Sequence, residues 1–473
     1  MANFSSRGPS PSSGGDLLKP DLMAPGVDVL AGVAPPNANG NLWDLNSGTS
    51  MSSPHISGIA ALLVGKFPTW SPMAVKSAMM TTASPLNNKH RAIGDQATGG
   101  AATALDFGSG QVVADRAFDP GLVYDSGIVE WLQYSCGIGV HLILGGGTDA
   151  CDVVGTVDPS DYNSPSLAVG DLAGIQTLHR TVTNVDRKVG AYAAHVSAPP
   201  GFTVTVTPRV LVVPPGQTAD FSVRITRTTA PLGAWQFGSL TWKDVRGHQV
   251  RSPIAVRPVA LAAPVEATGT GTSGSTGLSI TSGFAGTLTA AAHGLVASRV
   301  TSLVLTTDPD NAFDPNNPAT SARTGSVDLT VPVGAKVARF ATFGAEYPAG
   351  TDLDLFVYAR GPGGELTLVG QSAGGTADES VTLTEPGDYV AFVDLFNVPG
   401  AGALTVRHHD WVVAATNAGN LTATPASQSV TIGGMVTVTV AWNGLSASQH
   451  YLGVIEYGDG TQSHASTIVA VNA

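Results

Sequence analysis

The chain has 473 residues, which at roughly 150 per domain predicts about three domains, and its net charge of −12 argues against nucleic acid or an anionic membrane surface as the main partner. Only 12% of residues are charged, while glycine and proline number 57 and 31; this fits turn-rich β domains and excludes a highly charged disordered tail. No apolar run reaches the roughly 18–20 residues that span a bilayer. The opening MANFSSRGPSPSSGG lacks the basic and apolar regions of a secretory signal.

The first 49 residues offer only short apolar strands, such as 27–33. Helical signals follow. Along 50–67, Ile56, Ile59, Ala60, Leu62, Leu63 and Val64 cover nearly the whole circumference, which predicts a helix buried on all sides with Pro54 in its first turn. Along 71–83, Ser71 is a natural N-cap and Pro72 a natural first helical residue. A buried helix needs a sheet to pack on, and so little chain before it makes the first module look incomplete. Cys136 and Cys151 are too few for a disulfide framework or a four-thiolate zinc site. They are either inert thiols or a bridge closing a short loop, which in the chain-entropy model is worth about 3 kcal/mol.

From about 165 the pattern turns all-β, with SVRITR, TVTVTP and GSLTWKD bounded by turns at sandwich-like spacing. Residues 262–276 are Gly/Ser/Thr-rich and read as a flexible linker. A second β-rich region follows, including 352–357 and the DYVAFVDLF run at 388–396. Thr207, Pro208 and Gly216 match Thr424, Pro425 and Gly433 at one offset, and Gly238, Trp242 and Asp244 match Gly453, Tyr457 and Asp459 at another, two residues shorter. Two offsets that differ by a small gap predict two copies of one sandwich topology.

The segment NSGTSMSSPH at 46–55 runs a small-residue turn into a helix start. A serine there exposes its hydroxyl beside unpaired backbone N–H groups and the positive end of the helix dipole, as a nucleophile beside an oxyanion site requires. The bland alternative is a helix cap. GTSMSSPHISGIAALL strongly resembles the active-site serine segment of the subtilisin-like serine proteases. FSSRGPS at 4–10 and KPDLMAPGVDVLAG at 19–32 resemble the family's preceding segments. WSPMAVKSAMMTTA at 70–83 and DFGSGQVVADRAFDPGLVYD at 106–125 resemble the following ones, in the plant cucumisin-like branch and its bacterial relatives.

The resemblance implies a multidomain chain: a truncated α/β subtilisin-type catalytic module followed by all-β sandwich domains. Residues 1–125 correspond to the C-terminal half of the catalytic domain and 126–164 to a connecting segment. Residues 165–261 are similar to a fibronectin type III-like sandwich. After the 262–276 linker, 277–412 is similar to a pre-peptidase C-terminal domain, and 413–473 reads as a second fibronectin/Ig-like sandwich. Ser50 matches the nucleophile, and its backbone N–H one oxyanion donor. Gly48 and Thr49 match the turn presenting it, Met51 the oxidation-prone methionine after it, and His55 a helix histidine that is not the general base. The family's chain order is Asp, His, Ser, yet no histidine precedes Ser50 and no aspartate or histidine motif lies upstream; the catalytic Asp and His are not in this chain.

Asp125-Ser126-Gly127 looks like the aspartate motif but stands after Ser50, and His293-Gly294 faintly resembles the histidine motif in a β-rich region. His408-His409 is expected on an exposed strand, with metal contact the minor alternative. DPDNAFDPNN at 308–317 offers oxygen ligands for calcium, as Asp352, Asp354 and Asp394 do if their strands pair; a solvated turn is the plainer expectation, and no organic cofactor is implied. The family implies a secreted endopeptidase acting on protein or peptide substrates, and a chain inactive by itself for want of a general base. The alternative is a non-catalytic extracellular binding or scaffold protein built of β-sandwiches.

Overall fold

A computed structural model describes residues 1–473 apart from Ala38, Pro309, Asn311 and Ala401. The chain divides into two compact units. One is Met1–Ala262 with Ser282–Phe284, and the other is Ala263–Thr281 with Ala285–Ala473.

The first unit opens with a two-stranded antiparallel ribbon, Val29–Gly32 against Trp43–Asn46. Helices α1 (Thr49–Lys66), α2 (Pro72–Thr81), α3 (Ala104–Phe107), α4 (Ala114–Ala117), α5 (Ile128–Gly137) and α6 (Ala150–Val154) follow. Ser71 caps α2, its hydroxyl accepting the N–H of Ala74 at 2.9 Å, and Pro72 begins the helix. α2 is buried nearly all round, from Met73 to Thr81. The opposite holds for α1, which is not buried on all sides as its sequence predicts. Leu63 is fully buried against Val75, Met79 and Ala117, but its neighbours Leu62 and Val64 stand 63% and 51% exposed. The ribbon likewise exposes Leu30, Trp43 and Leu45. The apolar circumference of α1 is real, and this chain supplies partners for one stripe of it.

Cys136 in α5 and Cys151 in α6 are joined by a disulfide. A sandwich follows. Its five-stranded sheet runs, in spatial order, Leu167–Leu172, Gln249–Pro258, Gln236–Lys243, Gly190–Ser197 and Val210–Val213. Its four-stranded sheet runs Leu122–Val123, Ile175–Asn184, Thr218–Arg227 and Phe202–Thr207. Alternation builds the core: Phe221, Val223 and Ile225 point inward from one strand and pack with Trp242 and Tyr192. Strand Leu122–Val123 comes from the stretch before the sandwich, and Tyr124 beside it is fully buried. Tyr124 donates its N–H to Ser77 at 2.8 Å and shares a hydroxyl hydrogen bond of 2.7 Å with Ser252. Burial pushes the Tyr124 phenol up to about 12. Arg180, also buried, donates to the carbonyls of Ser160, Ser164, Ser166 and His179 and welds the connecting segment to the sheet.

The second unit corrects the predicted division. Residues 262–276 are no linker: strand Glu266–Thr270 pairs in parallel with Ser463–Asn472, and Gly274–Ser282 pairs with Met435–Trp442. Nor do 277–412 and 413–473 form successive modules. Strands from 266–297 and from 421–472 build one sandwich together, and residues 299–413 form a second sandwich inserted between them. Low-complexity Gly/Ser/Thr sequence hides the strand signal, because the partner strands lie almost two hundred residues away.

The host sandwich repeats the fibronectin-like one strand for strand. Glu266–Thr270, Ser463–Asn472, His450–Gly458, Gly286–Ala297 and Ser427–Val430 lie in the order of the five-stranded sheet of the first unit, including its one parallel pair. Trp242 and Tyr457 are both fully buried. Gly216 and Gly433 both turn the chain at positive φ, 68° and 71°, where side chains are disfavoured. In the first copy the strands Gly190–Ser197 and Phe202–Thr207 are joined by a short turn; at the same point the second copy carries the whole inserted sandwich.

That insert packs Arg299–Thr306, Ala403–Val413, Val337–Thr342 and Glu379–Leu383 against Thr324–Val331, Gly387–Asn397, Asp352–Arg360 and Leu366–Ser372. Its core holds Phe340, Leu353, Leu355, Val357 and Val393. His408 and His409 do not lie on an exposed strand face; both are buried. Neither ring nitrogen of His408 has a hydrogen-bond partner, and burial pushes it down to about 3, so it stays neutral.

Candidate active site

The loop before α1 is drawn tight by backbone contacts. The Gly48 N–H donates to Gly26 at 2.8 Å, and a Cβ at Gly26 would stand 2.8 Å from the Gly48 carbonyl. Glycine at 26 therefore lets the Pro25–Val27 stretch lie against the start of the helix. Ser47 Oγ accepts the Asp28 N–H at 2.9 Å, and Ser52 Oγ donates to the Ala24 carbonyl at 2.9 Å, so both neighbouring serines hold the loop to the helix. Gly48 itself is extended, with φ 161°.

Ser50 stands apart from those two. It lies in the first turn of the 18-residue α1 and is exposed. Its hydroxyl makes no hydrogen bond to another of the described residues, so it is not a cap. First-turn N–H groups have no intrahelical acceptor, and the dipole of a helix this long favours negative charge at this end. A cavity of about 660 Å³ beside it is lined by Gly26, Val27, Gly48, Thr49, Ser53 and Ile56. Thr49 and Ser53 also border the surface depression in which Ser50 sits. His55, one turn on, turns its Nδ1 to the Met51 carbonyl at 2.9 Å. Among the described residues no histidine is hydrogen-bonded to Ser50.

The look-alike motifs have structural employment. Asp125 accepts hydrogen bonds from the Ser71 hydroxyl and the Ser126 N–H, bracing the α2 cap. His293 bridges the Ala415 carbonyl and Glu456 at 2.7 and 3.1 Å within the host sandwich. In the 308–317 run, Pro309 and Asn311 lie outside the described residues. Asp308 is buried with its oxygens taken by the N–H groups of Ala312 and Phe313 and by Arg323. Strands bearing Asp354 and Asp394 do pair, with the two residues directly opposite. Burial, then neighbouring carboxylates, push Asp354 up to about 6, and burial does the same to Asp394. Asp352, Asp354 and Asp394 do not bring ligand atoms together as a metal-sized group.

Sequence reasoning missed three anchors. One is Arg180. Another is His248, whose Nδ1 meets Asp244 at 2.8 Å and whose Nε2 meets Asp119 at 3.1 Å. The last is the grouping of His409, which the sequence offered only beside His408, with Glu346 and His450. Each joins residues distant in the chain, so no local motif signals them.

Residues 1–110 match the subtilase family, and residues 161–256 match the fibronectin type-III domain family. Subtilisin-like protease SBT2.5 of Arabidopsis thaliana is 40% identical over 273 residues, which cover 54% of this chain and 33% of that protein. Subtilisin-like protease SBT3 of Solanum lycopersicum is 38% identical over 284 residues, covering 55% and 36%. The chain thus spans about a third of the length of the plant relatives it matches. Among solved structures, tripeptidyl peptidase 2 aligns at 12% identity over 86% of this chain and 32% of that one, with a TM-score of 0.26, too low to carry an argument. Residues 1–110 are thus similar to the subtilase family of serine proteases, and residues 161–256 to a fibronectin type-III domain.

Proposed function

We propose that this chain is the C-terminal portion of a secreted subtilisin-like serine endopeptidase, with Ser50 as its nucleophile. The observation that carries the reading is an exposed, unbonded hydroxyl at the amide end of α1, between two serines that are both engaged. In the complete enzyme Ser50 Oγ attacks the scissile carbonyl while a histidine, oriented by an aspartate, takes its proton. The Ser50 N–H holds the oxyanion, such a donor being worth about 10²–10³ in rate. The histidine returns the proton to the leaving amine, and water then hydrolyses the acyl-enzyme. The histidine and aspartate belong to polypeptide outside this chain, which would cover the apolar surface at Leu62, Val64, Trp43 and Leu45.

Without a general base a serine hydroxyl is a weak nucleophile, so the chain by itself is inactive. A fluorophosphonate probe tests both halves of this reading. The purified chain is expected to stay unlabelled, and a complete subtilase carrying these residues is expected to label in a way abolished by Ser50→Ala. Rapid labelling of the chain alone overturns the inactivity; labelling of the complete enzyme that survives Ser50→Ala overturns the nucleophile. The second reading, a non-catalytic extracellular binding or scaffold protein, is favoured by the lack of any histidine bonded to Ser50 among the described residues. It predicts no labelling in either case.

A further inference from the structure

Insert and host meet along a small apolar seam of Val337, Trp411 and Val413 with Leu452 and Val454. At this seam three side chains far apart in sequence converge. Glu346 ends the 3-10 turn Gly344–Glu346, His409 lies in strand Ala403–Val413, and His450 opens strand His450–Gly458. Their ligand atoms all lie within 4.8 Å of one another. His409 Nε2 is 3.1 Å from Glu346 Oε2, and His450 Nε2 is 3.6 Å from Oε1. Tetrahedral bonds of about 2.1 Å put neighbouring ligand atoms roughly 3.4 Å apart, and each histidine is near that distance from one of the two carboxylate oxygens.

Each ring is also held from its far side. His409 Nδ1 is 2.9 Å from Ser298 Oγ, and His450 Nδ1 is 2.7 Å from Asn472 Oδ1. The second contact sets a tautomer. An amide oxygen only accepts, so a hydrogen of the ring sits on Nδ1, and Nε2 is the atom turned toward the Glu346 carboxylate. That places a ring nitrogen and a carboxylate oxygen, both able to ligate a cation, at a mostly buried spot. Phe343 stacks on His450 at 3.8 Å with planes 9° apart, and Arg407 Nη1 steadies Oε1 at 2.9 Å. Such outer partners orient metal ligands.

We infer that Glu346, His409 and His450 bind one divalent cation of the zinc class, which clamps the inserted sandwich to its host and leaves a fourth position to water. Two imidazoles and a carboxylate suit zinc better than calcium, which takes six to eight oxygens. Among the described residues the other group of this kind, His141, Asp149 and Cys151, is not equivalent, because the Cys151 sulfur is bonded to Cys136.

The test uses the full chain stripped of metal and titrated with zinc against a competing chelator. Cobalt serves as a second, coloured probe. Wild type is expected to take up one tight equivalent that His450→Gln loses. Asn472→Ala, outside the ligand set, is expected to weaken it by roughly 10–100-fold. Zinc is expected to raise the thermal midpoint of the second unit. Equal uptake by wild type and His450→Gln means an adventitious ion only and overturns the inference. So does a doubly protonated His450 at neutral pH with no zinc uptake, in which a proton fills the gap. Should His450→Gln fail to fold, zinc affinity of Asn472→Ala and the thermal midpoint decide, and no change in either overturns the inference.

Discussion

Leu62 and Leu63 are adjacent, chemically identical, and predicted to behave oppositely. Leu63 is fully buried against Val75, Met79 and Ala117, whereas Leu62 is 63% exposed. Leu63→Ala removes packed methyl groups and leaves a cavity, which costs about 2–5 kcal/mol. Leu62→Ala gives up only about a third of a full side-chain burial worth about 1.5–3 kcal/mol, hence at most about 1 kcal/mol; helix propensity changes little. A chain of several domains does not unfold in one step, so the assay is local: hydrogen exchange of α1 by mass spectrometry. With tenfold in rate for about 1.4 kcal/mol, Leu63→Ala is expected to speed exchange by roughly 30-fold or more, and Leu62→Ala by less than roughly 5-fold. Equal acceleration by the two would refute the claim that one face of α1 lacks a partner in this chain.

Other expectations concern the buried charges and the disulfide of the first unit. Arg180→Met orphans the buried carbonyls of Ser160, Ser164 and Ser166; at about 1 kcal/mol each it costs the sandwich at least about 3 kcal/mol in urea unfolding. Burial alone would lower His248, but its bonds to Asp244 and Asp119 outweigh that and raise it. Its contribution is therefore complete below the unfolded value of about 6.5 and fades as pH rises through the folded value; wild type should lose more stability than His248→Gln between about pH 6 and about pH 8, and parallel curves would contradict this. Reducing Cys136–Cys151 reopens a separation of 15 residues, worth about 3 kcal/mol; exchange should quicken across 136–155 and stay unchanged at Val223 and Ile225.

The legibility of this chain follows the range of the interactions involved. Ser71 and Pro72 announced α2 because capping is local, and the strand Thr218–Arg227 showed itself by alternation. The start of α1 and the placing of Ser50 at its amide end were equally plain. Burial of α1 was not, since its Leu62 and Val64 face finds no packing partner among the described residues. The repeated sandwich left an echo at Trp242 and Tyr457, but its interruption was invisible. Strand Glu266–Thr270 finds its partner at Ser463–Asn472, and no window of sequence holds both. The same distance hid Glu346 and His450 as neighbours of His409, and Arg180 among its serine carbonyls.

The insert enters and leaves its host by neighbouring strands, with Arg299 opposite Asp410. Both of its ends are therefore anchored within one strand spacing, and the host must wait for a long excursion to return before Gly286–Ala297 can share a sheet neighbourhood with the strands after 421. Loop closure of that length costs only slowly rising entropy once the excursion has folded on itself and brought its own ends together. The expected order of events is the inner body first, the outer one around it. A single proteolytic nick inside the excursion would leave two threads still knitted into one fabric, a robustness that beads strung on a line do not have.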